Sequence, residues 1–125
     1  MHGLLDCEPI AAHCVWLNEH DISLMDHNHI NVAHNPVANM ILASGVCQVP
    51  RLRAAGINVG IGTDGAASND SNNMIEAIKC AALLQKVHTL DPRSILATDV
   101  LQMATIEGAR ALAIDHLVGS PEVGK

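Results

Sequence analysis

Aromatic side chains are almost missing from this sequence: there is no Phe, no Tyr and a single Trp, Trp16. A core of ordinary size would hold several, so the packing has to come from Leu, Ile, Val, Met and Ala. Basic residues are also scarce. Seven Lys plus Arg stand against thirteen Asp plus Glu, a net charge of −6, and no basic block occurs. That excludes a duplex-binding module, which needs clustered cations against phosphate. No apolar run reaches the roughly 18 residues of a membrane span, and no basic stretch followed by a long hydrophobic core opens the chain. The four cysteines, Cys7, Cys14, Cys47 and Cys80, form no Cys-x-x-Cys pair and lie in apolar surroundings. Buried free thiols in a reducing compartment are the expectation, and with them a cytoplasmic protein without nucleic-acid or membrane partners.

What is present is apolar and ordered. Nearly half of the 125 residues are hydrophobic, which excludes a disordered or collagen-like chain and predicts one domain over residues 1–125. Residues 10–15 form a short β-compatible run, after which Asn18 offers an N-cap for a helix with Ile22 and Met25 on one face. Residues 30–33 are a second apolar run, ending in His34-Asn35-Pro36, where proline stops strand pairing and favours an extended or turn conformation for Asn35. Residues 49–55 predict a short helix with Pro50 in its first turn and Gly56 just past its end. Residues 57–61 are a third strand candidate, broken by Gly62-Thr63-Asp64-Gly65. A longer helix follows Ser71 to about residue 87, with Met74, Ile78, Ala81, Ala82 and Gln85 at helical spacing. Another starts near Thr98 or Asp99 and carries Leu101, Ala104, Gly108, Ala111 and Leu112 along one face. This alternation is the order expected of α/β architecture with parallel β/α units.

The polar residues fall in informative places. His13 ends or interrupts the first strand, His34 and Asn35 end the second, and Asp64 ends the third. In parallel β/α folds the C-terminal ends of the strands form the functional edge. Imidazole and carboxylate are the groups that bind a divalent ion, activate its water and move protons. Taken singly, a strand-end histidine is more often a hydrogen-bonded structural residue, and Asp-Gly is a common turn dipeptide. Three such ends in succession weaken that plainer reading. His2, His20, His27, His29, His88 and His116 lie at the terminus, on exposed helix faces or in loops. His27-x-His29 has the spacing of a metal motif but sits at the wrong end of the coming strand.

Three stretches carry a family resemblance: His13-Cys14-Val15 with Leu17; Ala33-His34-Asn35-Pro36 with Asn39-Met40 and Leu42-Ala43-Ser44-Gly45; and Gly60-Ile61-Gly62-Thr63-Asp64-Gly65-Ala66-Ala67-Ser68-Asn69. With the tail Met103-Ala104-Thr105, Gly108-Ala109-Arg110-Ala111-Leu112 and Gly119-Ser120, the chain resembles the amidohydrolase superfamily. Within it, the chain looks like the branch of the methylthioadenosine and S-adenosylhomocysteine deaminases. The resemblance implies a TIM (β/α)8 barrel, of which this chain supplies strands six to eight followed by C-terminal helices. It implies a divalent metal, zinc first and iron second. Asp64 would be a metal ligand that also takes a proton from the attacking water, and His13 would hydrogen-bond that water or the developing oxyanion. His34 and Asn39 would contact the substrate, a purine nucleoside or related aminated heterocycle. The segment Asn35-Pro36-Val37-Ala38-Asn39 departs from the family's Cys-Pro-x-Ser-Asn. Asn39, Ser44, Ser68 and Asn69 divide evenly between ligand contact and loop stabilisation, whereas Trp16, beside an apolar strand, is expected in core packing rather than stacked on a heterocycle.

The family's His-x-His of strand one and its His and Glu of strand five have no counterpart in these residues. A closed barrel takes about 250 residues. Catalysis is therefore expected only when the remaining strands are supplied, with self-association or a complementary barrel fragment as the partner of the open sheet edges. The alternative is a truncated, non-catalytic half-barrel.

Overall fold

Three short strands, β1 (Ile10–Ala12), β2 (Asn31–His34) and β3 (Val59–Ile61), pair in parallel in the order β1-β2-β3. Ile10, Ala11 and Ala12 lie opposite Asn31, Val32 and Ala33, and Val32, Ala33 and His34 lie opposite Val59, Gly60 and Ile61. The computed structural model describes Cys7 and residues 9–125; His2 lies outside the described residues. Side chains alternate along a strand, so Ala11, Val32, Val59 and Ile61 share one face and join the hydrophobic core with the helices. The other face carries Ile10, Ala12, Ala33 and Gly60.

Local chemistry explains the first helices. In α1 (Glu19–His27) the Asn18 side chain accepts the His20 and Asp21 N–H groups at 2.8 and 3.0 Å, and Asp21 returns a bond to the Asn18 N–H at 2.9 Å. This reciprocal cap fixes the helix start, and Ile22 and Met25 are buried as the spacing predicts. In α3 (Val49–Ala54) Pro50 occupies the first turn and Gly56 follows at φ +88°, a conformation glycine adopts without strain.

Two short helices have no counterpart in the sequence reading: α2 (Pro36–Ile41) and α4 (Ala66–Asn69). Pro36 does end the strand, but its fixed φ also starts a helix, because a first-turn residue needs no N–H partner.

The later helices correct two expectations. α5 (Met74–Thr89) begins three residues after Ser71 and is capped by Asn73 through bonds to the Ile75 and Glu76 N–H groups at 3.0 and 3.3 Å. It buries Ala77, Ala81 and Gln85, and Met74 stays at the surface. The last predicted helix is two, α6 (Ala97–Ala104) and α7 (Ile106–Ala111), divided at Thr105 with φ −126° and ψ −96°. The break changes which face is inside: Val100, Met103 and Ala109 are buried, while Leu101 and Leu112 are exposed. A helix continued through Thr105 could not satisfy what α7 does at the sheet. There, Gly108 approaches Gly60 so closely that a Cβ on Gly60 would stand 3.1 Å from the Gly108 Cα.

Backbone meets backbone at that point, so neither atom can yield as a side chain would. Gly60→Val is expected to destabilise the protein by about 1–3 kcal/mol, read as a lowered urea midpoint. An unchanged midpoint would show that α7 docks elsewhere. At the opposite end of the strands, Arg53 from α3 pairs with Glu107 and lies 3.6 Å from Asp99, while the Asn58 amide donates to the Glu107 carbonyl at 3.0 Å. These contacts tie the C-terminal helices to the foot of the sheet.

Burial also revises two residue assignments. Cys47 is buried as expected, with its thiol pushed up to about 12 chiefly by desolvation, but Cys14 and Cys80 are half-buried and Cys7 is exposed. Trp16 is 86 % exposed and lies outside this chain's own core.

Candidate active site

The strands stop at their C-terminal edge for backbone reasons. His13 still donates its N–H to the Ala33 carbonyl at 3.0 Å, but His13 and Cys14 then turn into the left-handed region with φ of 67° and 48°. On β3 the ladder runs one residue further, Gly62 N–H to His34 carbonyl at 2.9 Å. A Cβ at Gly62 would stand 2.3 Å from the Asn35 side-chain oxygen, which would have to move aside. Asp64 is left-handed as well, at φ 63°. Non-glycine residues held this way cost about 1 kcal/mol or more each and gather where geometry serves function.

Those turns bring two of the expected residues together. His13 Nε2 lies 3.6 Å from Asp64 Oδ2, and His13 Nδ1 lies 2.8 Å from Asn39 Oδ1. The second oxygen of Asp64 accepts the Gly65 N–H at 2.8 Å. That backbone bond first, then the Ser68 hydroxyl, and to a smaller degree the positive potential of His13, hold the Asp64 carboxyl below the usual carboxylate range against a small opposing desolvation. Ser68 and Asn69 fasten the loop: the Ser68 hydroxyl donates to the Gly65 carbonyl at 3.0 Å and the Asn69 amide donates to the Thr63 carbonyl. Of the polar residues left open between ligand contact and loop support, these two fall on the loop side.

His34 and Asn39, the residues expected at the substrate, are both buried in this chain. His34 is 0 % exposed, and further chain could only cover it more. Both its ring nitrogens lack a hydrogen-bond partner among the described residues, and burial first, then the nearby His13 charge, lowers its pKa from 6.5 to about 4. Asn39 is 1 % exposed and faces His13. Its contact with His13 spans 26 positions, which no local pattern in the sequence announces. His27 and His29 are exposed beside the N-terminal end of β2, away from this edge.

A carboxylate oxygen and an imidazole nitrogen facing each other at an accessible strand edge are donors suited to zinc or iron. They fit such an ion as part of a ligand set. Zinc ordinarily takes four donors, and no group of three or more His, Cys, Asp or Glu residues assembles among the described residues. A separate apolar groove of about 520 Å³ lies against the other sheet face, lined by Ile10, Ala33, Gly60, Thr105, Leu112 and Val118. It carries no titratable side chain.

A parallel β/α sheet with an imidazole and a carboxylate meeting at its C-terminal edge defines an α/β protein with a candidate site at the functional edge of its sheet. More particularly, the chain belongs to the amidohydrolase family, whose model matches residues 2–125. It is 53 % identical over 123 residues to the 5-methylthioadenosine/S-adenosylhomocysteine deaminase of Desulforudis audaxviator, covering 98 % of this chain and 29 % of that relative. To the 5'-deoxyadenosine deaminase of Methanococcoides burtonii it is 53 % identical over 106 residues, 85 % of this chain and 24 % of the relative. Among solved structures, the zinc-bound adenosine deaminase of Xanthomonas campestris superposes with a TM-score of 0.88 at 41 % identity, over 93 % of this chain and 26 % of that one. The chain thus spans 24–29 % of the length of these relatives. No described helix is long and apolar enough to cross a membrane.

Proposed function

We infer that this chain forms strands six to eight of a metal-dependent aminohydrolase barrel acting on adenosine-type nucleosides, catalytic when the remaining strands are present. The observation that carries the reading is the meeting of His13 Nε2 and Asp64 Oδ2 at 3.6 Å, on two different strands, at one sheet edge. The deaminase relatives and the zinc-bound neighbour support it. Asp64 would hold the divalent ion, zinc or iron, which when bound lowers the pKa of its water from 15.7 toward about 7.

The chain's own residues divide the remaining work. Asp64, kept ionised by the Gly65 N–H and the Ser68 hydroxyl, accepts a proton from the attacking water at its carboxylate oxygen. His13 Nε2 accepts a hydrogen bond from that water. The water oxygen adds to the ring carbon bearing the exocyclic amine, the carbon–nitrogen bond breaks, and the amine leaves as ammonia carrying the transferred proton. His34 has no part in substrate contact in this reading, because it is sealed from solvent. The alternative of a non-catalytic half-barrel has no observation in its favour beyond the unpaired outer edges of β1 and β3 among the described residues.

The chain joined to the other barrel strands is expected to release ammonia from adenosine-type nucleosides and to hold zinc stoichiometrically. Alone, it is expected to release none and to sediment as species larger than a monomer, through its open strand edges. Absence of ammonia release from the assembled, metal-loaded protein with any aminated purine nucleoside would overturn the deaminase reading.

A further inference from the structure

His13 meets Asp64 through one ring nitrogen, and the other nitrogen is already occupied. Asn39 Oδ1 stands 2.8 Å from His13 Nδ1. An amide oxygen only accepts, so this contact requires a hydrogen on Nδ1. In the neutral ring, Nε2 is then bare and turns its lone pair toward Asp64 Oδ2, 3.6 Å away. Two acceptors facing each other at that distance attract a proton donor or a cation between them. With the opposite tautomer the Nε2–H would bond the carboxylate and close the edge.

Asn39 is held in place by its backbone, while its side-chain Nδ2 has no partner among the described residues. It is 1 % exposed, so no water competes for its oxygen. Its backbone is held on both sides, its N–H donating to the Asn35 carbonyl at 3.0 Å and its carbonyl accepting the Ser44 N–H at 2.9 Å. Helix α2, which carries it, packs against α4 and α5. We propose that Asn39 is a positioning residue that sets the tautomer of His13, delivering a bare Nε2 to the Asp64 carboxylate. Its catalytic consequence rests on the deaminase reading; the tautomer does not.

Nitrogen-15 NMR of the full chain labelled at histidine reads the tautomer directly, with His13→Gln identifying the signal. Above the range where imidazole is charged, the wild-type ring is expected to show a protonated Nδ1 and a bare Nε2. Asn39→Leu is expected to release the ring toward the Nε2–H form that free histidine prefers. Asn39→Asp keeps an acceptor oxygen and is expected to retain Nδ1–H, which also covers the case in which the Leu variant does not fold. A wild-type ring protonated at Nε2, or a tautomer unmoved in Asn39→Leu, overturns the proposal. In the assembled enzyme Asn39→Leu is expected to lower kcat about 10- to 100-fold with KM little changed, and Asn39→Asp to recover part of that loss. A Nδ1–H ring in an assembled wild-type protein that releases no ammonia would refute the deaminase reading and leave the assignment of Asn39 standing.

Discussion

Asp64→Asn in the assembled enzyme is expected to lower kcat by about a thousandfold, the largest functional effect of any single substitution in this chain. A positioned general base is worth about 10²- to 10⁴-fold, and here the same group would also hold the ion that makes the water acidic. The substitution is nearly isosteric. Asn keeps a side-chain oxygen for the Gly65 N–H, now met at 2.8 Å, so the loop through Ser68 and Asn69 should stay in place. What disappears is the negative charge and the basic oxygen facing His13. Because the Asp64 carboxyl titrates below the usual carboxylate range, the wild-type base stays ionised as pH falls into that range. Acid loss of activity above it must therefore come from another group. Steady-state rates of ammonia release, paired with metal content by atomic spectroscopy, check the prediction. A variant retaining both metal and activity within tenfold of wild type would remove Asp64 from its role.

The second large effect concerns stability and acid. His34 is sealed in the core with its pKa lowered from 6.5 to about 4, chiefly by burial. The folded state therefore resists a proton that the unfolded chain accepts. Between pH 6.5 and about 4 the unfolded state binds more protons, so stability rises with pH in that window. It is fully present above 6.5 and lost as pH falls toward 4. At about 1.4 kcal/mol per pH unit the whole depression amounts to about 3 kcal/mol.

His34→Leu should flatten the pH dependence. Since neither ring nitrogen has a partner among the described residues, an apolar replacement of similar size should cost little at neutral pH or be stabilising. Urea unfolding of wild type and variant at pH 7 and about pH 4.5 separates the outcomes. A variant destabilised by more than about 2 kcal/mol at pH 7 would mean that the imidazole has a partner after all.

The parts of the fold that rest on near neighbours were legible in the residues. Asn18 and Asp21 are three positions apart and cap each other, Pro50 and Gly56 bracket one helix, and the apolar runs around Ala11, Val32 and Val59 became the parallel strands. The misreadings have specific causes. Pro36 was read as a stop because proline ends a strand, yet the same ring starts α2. The helix through Thr105 looked continuous because Leu101, Ala104, Gly108 and Leu112 keep helical period. Nothing in that period shows that Gly60 on a distant strand leaves room for the Gly108 backbone. Trp16, beside an apolar run, had the composition of a core residue and the position of a surface one.

In the candidate site the same division holds. That His13 and Asp64 stand at strand ends is a local property: an apolar run stops and a polar residue follows. That Asp64 is held ionised is nearly local too, since its partners are Gly65 and Ser68. By itself, then, the sequence determined the order of the three strands, the edge on which imidazole and carboxylate fall, and the family. The tertiary structure alone decided that His13 and Asp64 face each other, that Asn39 meets the imidazole, and that His34 is shut inside. Those relations depend on the register of three parallel strands and on where α2 and α7 pack against them. Register and packing are set by contacts between segments far apart along the chain, where no spacing rule reaches.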